Sequence, residues 1–336
     1  MLTFEKILKL SQKKLFNTLR REYASELCAF QSNSFILVKG EAPVMLVAHL
    51  DTVHANAVKT ICKSDDGNIW MSPEGIGGDD RCGVYGITQI HNQAQLKPWL
   101  LFTCDEEIGG VGASGFSKNI SGKNNKIQQQ LKGLKYIVEL DRKGSNDAVY
   151  YGCGNKEFED YVTSKGFKTA YGSFSDISVI APELKIAAVN ISSGYYNAHT
   201  QHEYINIEQL NIVIARIIEM IDESAQNSVP KYKYIEVPRK TYGSISYDDV
   251  YRRYFGCSSY DDFDLHNRIN GWSSINTVEQ SRELTPYSEL PEVLKDAYNE
   301  LLYLYSREDL DDFRADCGDD ILFDIYKNEV KAGNLP

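Results

Sequence analysis

The chain has 336 residues, 42% hydrophobic and 25% charged, a globular balance with length for one large domain plus an addition, or for two domains. A formal charge of −11 and a pI near 5.1 argue against nucleic acid or an anionic membrane as the main partner, since no Lys/Arg block forms a dense basic face. No run reaches the roughly eighteen apolar residues of a membrane span, and seven scattered cysteines without a C-x-x-C pair suit a reduced, cytoplasmic protein.

Residues 1–40 read as one helix followed by a short strand, the helix amphipathic and surface-lying at its start, where Leu2, Ile7, Leu8 and Leu10 stand among lysines and a glutamate. The strand is Phe35 to Val38. Val44 to Ala48 is a buried strand ending in His49-Leu50-Asp51. A second short strand near Trp70 leads into the glycine-rich turn PEGIGGDDRCG, after which Val84, Ile87 and Ile90 recur at helical spacing up to about Gln95. Leu100 to Thr103 is another buried strand, ending in CDEEIGG, and Val111 to Ile120 reads as a helix. The Asn, Lys and Gln-rich residues 121–134 read as a surface loop. The strand Tyr136 to Leu140 ends in Asp141-Arg142-Lys143-Gly144. Short elements at Val149–Tyr151 and Lys156–Ser164 precede a turn, GSFSDIS. The strand Ile186 to Ile191 leads into SSGYYNAHTQHEYI and an amphipathic helix from about Ile207 to Ala225.

Strands alternating with helical patterns predict an α/β fold, a mostly parallel twisted sheet with helices on both faces. From about residue 230 the chain becomes rich in Tyr, Asp and Glu, with helices expected at roughly 289–306 and 318–331. The expected organisation is therefore one α/β domain over 1–229 and a mainly helical accessory region over 230–336.

Three strand ends carry acidic or histidine side chains straight after an apolar run, which is where ligand sites gather in open α/β sheets. Each cluster alone has an ordinary reading. His49-x-Asp51 suits a solvated loop, Asp79-Asp80 complements a helix dipole, and Glu106-Glu107 or His199 suits a polar surface. Together they deliver His-x-Asp, Asp-Asp, Glu-Glu, Asp and His in order. Two divalent metals about 3.5–4 Å apart need a bridging carboxylate, terminal N/O ligands and a nearby base, and this inventory supplies all three. His54 and His91 read as surface or helix residues.

The strings MLVAHLDTV, GGDDRCG, CDEEIGG, ELDRKG and NAHTQHEYI, spread over roughly residues 40–215, resemble the ordered motifs of the dizinc exopeptidase clan. HLDTV and DEEIG are similar to the peptidase T-like tripeptidases and dipeptidases, and DDRCG to the glutamyl and leucyl aminopeptidases. The resemblance implies a phosphorylase/hydrolase-like α/β fold and a metallo-exopeptidase. It makes His49 and Asp141 terminal ligands of one metal, Glu107 and His199 ligands of the other, and Asp79 the bridge. Glu106 becomes the general base and Asp51 the partner that orients His49. Ser175-Asp176 fall where such families have a polar turn near the active site. It marks Asp79-Asp80 as a candidate cis peptide, and it selects His199 over His202 because the ligand stands four residues before a glutamate, here Glu203. The metals implied are two divalent ions, zinc by ligand type, with cobalt or manganese suited to the same donors.

Asp79 follows Asp51 by only 28 positions and His199 follows Asp141 by only 58, so neither gap holds the lid domain that many relatives insert. The substrate expected is a small peptide, with an N-acyl amino acid as the alternative on the same site. A homo-oligomer is compatible with the sequence. A non-catalytic binding protein acting through its C-terminal region is the reading from another class.

Overall fold

A computed structural model describes residues 2–28, 32–121, 126–172, 174–226, 228–237, 286–290 and 292–302, with single positions between 307 and 325. The N-terminal segment forms two helices, α1 (Phe4–Lys9) and α2 (Gln12–Glu22), where the sequence suggested one. Thr3 and Ser11 stand as separate N-caps in extended conformation, and Leu10 breaks the helical path between them. Leu2, Phe4, Ile7 and Leu8 are buried rather than surface-lying, and Phe4 stacks on Trp70 and Tyr85.

The following elements are β1 (Phe35–Val38), β2 (Val44–His49), β3 (Cys62–Lys63), β4 (Ile69–Met71), α3 (Gly78–Gln93), β5 (Trp99–Thr103) and α4 (Val111–Ile120). Next come α5 (Lys126–Leu131), β6 (Tyr136–Arg142), β7 (Asp147–Val149), α6 (Lys156–Ser164), β8 (Lys168–Thr169) and α7 (Asp176–Leu184). The series continues with β9 (Ala188–Ser192), β10 (Tyr195–Tyr196), β11 (Tyr204–Asn206) and α8 (Ile207–Ala225).

Seven strands form one sheet in the order β1-β5-β2-β6-β9-β7-β8. Its centre, β5, β2, β6 and β9, is parallel throughout, while β1 and β7 join antiparallel to β5 and β9. Every residue of β2, β5 and β9 is buried. Because successive side chains point to opposite faces, both faces of these strands are covered. Helix α3 packs on β2, β6 and α8, and α7 packs on β6, β9 and α4.

Two expectations fail here. The polar stretch 121–134 contains α5, whose Ile127 and Leu131 are buried, so two apolar residues at i, i+4 outweighed a polar composition. The GSFSDIS turn ends by opening α7 at Asp176. A second sheet, β10-β11-β4-β3, is antiparallel and was not foreseen, since strands of two or three residues carry no readable period.

Contacts divide the chain into two compact units, Met1–Arg239 and Lys240–Pro336. Val229 and Tyr232 belong to the core of the first, Tyr232 lying against Phe158 and Tyr161. In the second, the helix α9 (Glu292–Leu301) buries Leu294, Ala297, Tyr298 and Leu301 in a small cluster of its own. The helix expected at 318–331 lies outside the described residues, apart from single positions. No helix among the described residues is long and apolar enough to cross a membrane.

One packing constraint joins the core to the acidic turn. A Cβ on Gly83, in the second turn of α3, would lie 2.0 Å from the Leu140 carbonyl oxygen and 2.3 Å from Asp80 Oδ1. Backbone cannot yield to it as a flexible side chain could. Gly83→Ala is expected to cost at least about 1–3 kcal/mol, read as a lower urea midpoint at unchanged slope. An unchanged midpoint would show that α3 is free to shift along β6.

Candidate metal centre

Because β5, β2, β6 and β9 run parallel, their carboxyl ends share one edge of the sheet, and the candidate residues collect there. His49 is the last residue of β2 and Asp141 the penultimate residue of β6. Glu106 and Glu107 follow β5 by three and four positions. Asp79 opens α3, and His199 sits in the connection between β10 and β11. The small antiparallel sheet therefore brings His199, and through β4 the turn leading to Asp79, over the edge of the large one.

Asp79 stands at the centre. Its Oδ1 lies 3.1 Å from His49 Nε2 and its Oδ2 lies 3.2 Å from His199 Nε2. Each histidine also meets a second carboxylate, His49 Nε2 reaching Asp141 Oδ1 at 3.4 Å and His199 Nε2 reaching Glu107 Oε2 at 3.2 Å. On the other side of the His49 ring, Nδ1 faces Asp51 Oδ1 at 3.3 Å. The Asp51 carboxylate accepts the backbone N–H of Glu106 at 3.2 Å and of Glu107 at 3.0 Å, so one side chain orients both the ring and the glutamate pair.

The backbone is shaped for this. The peptide joining Asp79 to Asp80 is cis, and both residues depart from helical φ/ψ within the first turn of α3. His199 adopts a left-handed φ of 64°, uncommon for a residue with a Cβ. The β6–β9 register shifts between Glu139 and Arg142, at Asp141. Asn190 of β9 fills that irregularity, its Oδ1 accepting the Asp141 N–H and its Nδ2 donating to the Asp141 carbonyl, each at 2.9 Å.

Several titrating groups are displaced by this crowding. Burial, reinforced by the charge of Asp79, pushes the Asp141 carboxyl up to about 7. Burial likewise pushes Glu106 up to about 9, with His49 opposing and Asp141, Asp176 and Glu107 adding to the rise. Burial acts on Asp79 in the same sense, but hydrogen bonds from His199 and His49 outweigh it and hold this carboxyl below the usual range. His199 is raised to about 11, first by its contact with Asp79 and then by Glu107. Burial would lower His49, yet Asp141, Asp51 and Asp79 carry it well above an ordinary imidazole.

All seven residues singled out in the sequence lie in this region. Others were not foreseen. Asp80 is fully buried, its Oδ2 accepting the His49 N–H and its Oδ1 the Gly83 N–H. Glu139 is also fully buried beside the site, in contact with Ser175, while Asp176, from the polar turn expected near the site, is fully buried against Thr103. The Asp-Asp pair was the available signal for Asp80. Glu139 looked like one polar residue within an apolar strand. His91, read as a surface or helix residue, is helical but buried, with Nδ1 on the Pro98 carbonyl. His54 meets a buried glutamate rather than solvent, and His202 is exposed.

The donor set suits divalent metals. Ligand atoms of His49, Asp79 and Glu107 lie within 4.8 Å of one another, as do those of His49, Asp80 and Asp141. Glu107 Oε1 is buried without a hydrogen-bond partner. So many buried carboxylates, faced by two imidazoles and Arg81, leave a deficit of positive charge that a cation at this point would fill.

The fold and the site thus define an α/β protein with a histidine–carboxylate cluster at the sheet's carboxyl edge. No protein-family model matches the sequence, and no curated protein is similar to it at a significant level. Among solved structures, the chain is similar to aminopeptidase PepT from Bacillus cereus, at 13% identity over 66% of this chain and 97% of that one, with a TM-score of 0.49. A tripeptidase from Staphylococcus aureus shares 15% identity over 67% and 97%, with a TM-score of 0.49. The aminopeptidase APDkam598 from Desulfurococcus kamchatkensis shares 13% identity over 70% and 98%, with a TM-score of 0.47.

Proposed function

We propose that the chain is a metal-dependent hydrolase of the exopeptidase type, an aminopeptidase or dipeptidase, with His49, Asp79, Glu107, Asp141 and His199 holding two divalent ions. The observation that carries this reading is the division of Asp79, one carboxylate oxygen to each of two histidines, with a further carboxylate on each histidine. That is the arrangement of two half-sites sharing one ligand. Zinc suits the mixed O/N donors, and cobalt or manganese suits them too.

Two ions bound there would supply Lewis acidity toward a carbonyl oxygen and lower the pKa of a water. The chain's own residues do the rest. Asp51 fixes the His49 ring through Nδ1 and holds the Glu106–Glu107 backbone through two N–H groups, so the base and a ligand move as one piece. Glu106 is available to accept a proton from water and return it to a leaving amine. Unpaired, buried Cys82, Cys104 and Cys153 suit a cytoplasmic setting.

The test is elemental analysis of protein purified without chelator, followed by hydrolysis of peptides with free and with acylated amino termini. Two equivalents of metal and cleavage of the free-amine set are expected. Cleavage of only the N-acyl set would move the assignment to an amidase, and no metal after reconstitution would end the hydrolase reading.

A further inference from the structure

Glu203 is fully buried, and both of its carboxylate oxygens are used. Oε1 accepts the Asp79 N–H at 2.9 Å, Oε2 accepts the Gly77 N–H at 2.8 Å, and His54 Nε2–H donates to Oε2 at 2.8 Å. None of these partners lies on the strand connection that carries Glu203. His54 stands three positions after Asp51, on the loop that leaves β2, and Glu203 stands four positions after His199. One buried carboxylate and its three hydrogen bonds therefore tie together the loop of His49 and Asp51, the turn of Asp79 and the loop of His199.

The glycines of the turn are consistent with that closure. A Cβ on Gly75 would lie 2.3 Å from the His54 ring, and a Cβ on Gly78 would lie 2.6 Å from Tyr195 Cβ and 3.3 Å from Glu203 Oε1. The Asp79 side chain faces the two imidazoles, so its aim depends on where its backbone is held.

We propose that His54 and Glu203 are a positioning pair that holds the Asp79 turn against the His49 and His199 loops and thereby sets metal affinity at both half-sites together. This rests on the two-metal reading above. Ordinary structural support would change stability but not the metals, whereas a device acting through the shared carboxylate changes both affinities in step.

The experiment titrates Zn2+ into metal-free wild type, His54→Ala, His54→Gln and Glu203→Gln against a chromophoric chelator, with the thermal midpoint of each metal-free protein recorded alongside. Wild type is expected to take two equivalents. His54→Ala and Glu203→Gln should weaken both by about 10–100-fold, as loss of an outer-shell partner does. His54→Gln, which keeps an N–H directed at Glu203, should recover much of the loss.

Wild-type affinities in His54→Ala and Glu203→Gln, or weakening of one equivalent alone, would overturn the pair's role while leaving the two-metal reading intact. Failure of wild type to bind zinc would instead remove the two-metal reading, and this role with it. Should His54→Ala not fold, Glu203→Gln decides the matter, because it preserves side-chain shape while disrupting the set of bonds to Gly77, Asp79 and His54.

Discussion

Glu106→Gln is expected to lower kcat by about 10²–10⁴-fold, the usual contribution of a positioned acid–base group, with metal content unchanged. The same change should raise, not lower, the stability of the metal-free protein at neutral pH. An ordinary glutamate titrates near 4.5, while burial raises Glu106 to about 9. Between those values the folded state keeps a proton that the unfolded chain has lost, so stability falls as pH rises through that window. A neutral glutamine removes this dependence. Metal-free wild type should thus lose thermal stability from acid to mildly basic pH more steeply than the variant. Bound cations favour the carboxylate and return Glu106 to the form a base requires. Retention of wild-type kcat in Glu106→Gln would eliminate it as the base, whatever the thermal data show.

The second large effect belongs to Asp79. Because its two oxygens face different histidines, Asp79→Asn is expected to weaken both proposed half-sites, whereas Glu107→Gln is expected to act chiefly on the half that contains His199, the histidine Glu107 contacts. Asp79→Asn is expected to lose both metals on dialysis, an affinity loss beyond the roughly 100-fold upper figure for an outer-shell partner. Glu107→Gln should keep close to one. The proton balance offers an independent check. In the metal-free protein His199 is raised to about 11 and His49 well above its ordinary value, so both rings are protonated at neutral pH. Metal uptake must displace those protons, so affinity rises with pH and calorimetry in two buffers should record their release. Without the Asp79 charge the rings lose their main partner or one of several, and fewer protons should leave per metal bound. Equal loss of metal in the two variants would mean that Asp79 is not shared.

Much of the centre was readable because it obeys a local rule. His49, Asp141 and the Glu106-Glu107 pair each stand at the end of an apolar run, and a buried parallel strand announces itself as such a run. Helices α3 and α8 were legible for a related reason, since apolar residues recur at helical spacing in each, Val84, Ile87 and Ile90 in α3 and Leu210, Val213, Ile214, Ile217 and Ile221 in α8. The failures share a cause too. Helix α5 hides two buried residues in polar company, and β3, β10 and β11 are too short to show a period, yet together with β4, the strand expected near Trp70, they carry His199 to its place.

What the sequence by itself determined is the order of the termini that carry the candidate side chains and the chemistry of those side chains, because both are local properties of strand ends and helix starts. Only the tertiary structure decided that Asp79 faces two histidines at once, that Asp51 braces the Glu106–Glu107 backbone, and that His54 closes on Glu203 from 149 residues away. Those relations depend on loops meeting across the sheet edge. No run of residues encodes them, since the energy of each contact exists only when distant segments are already held together.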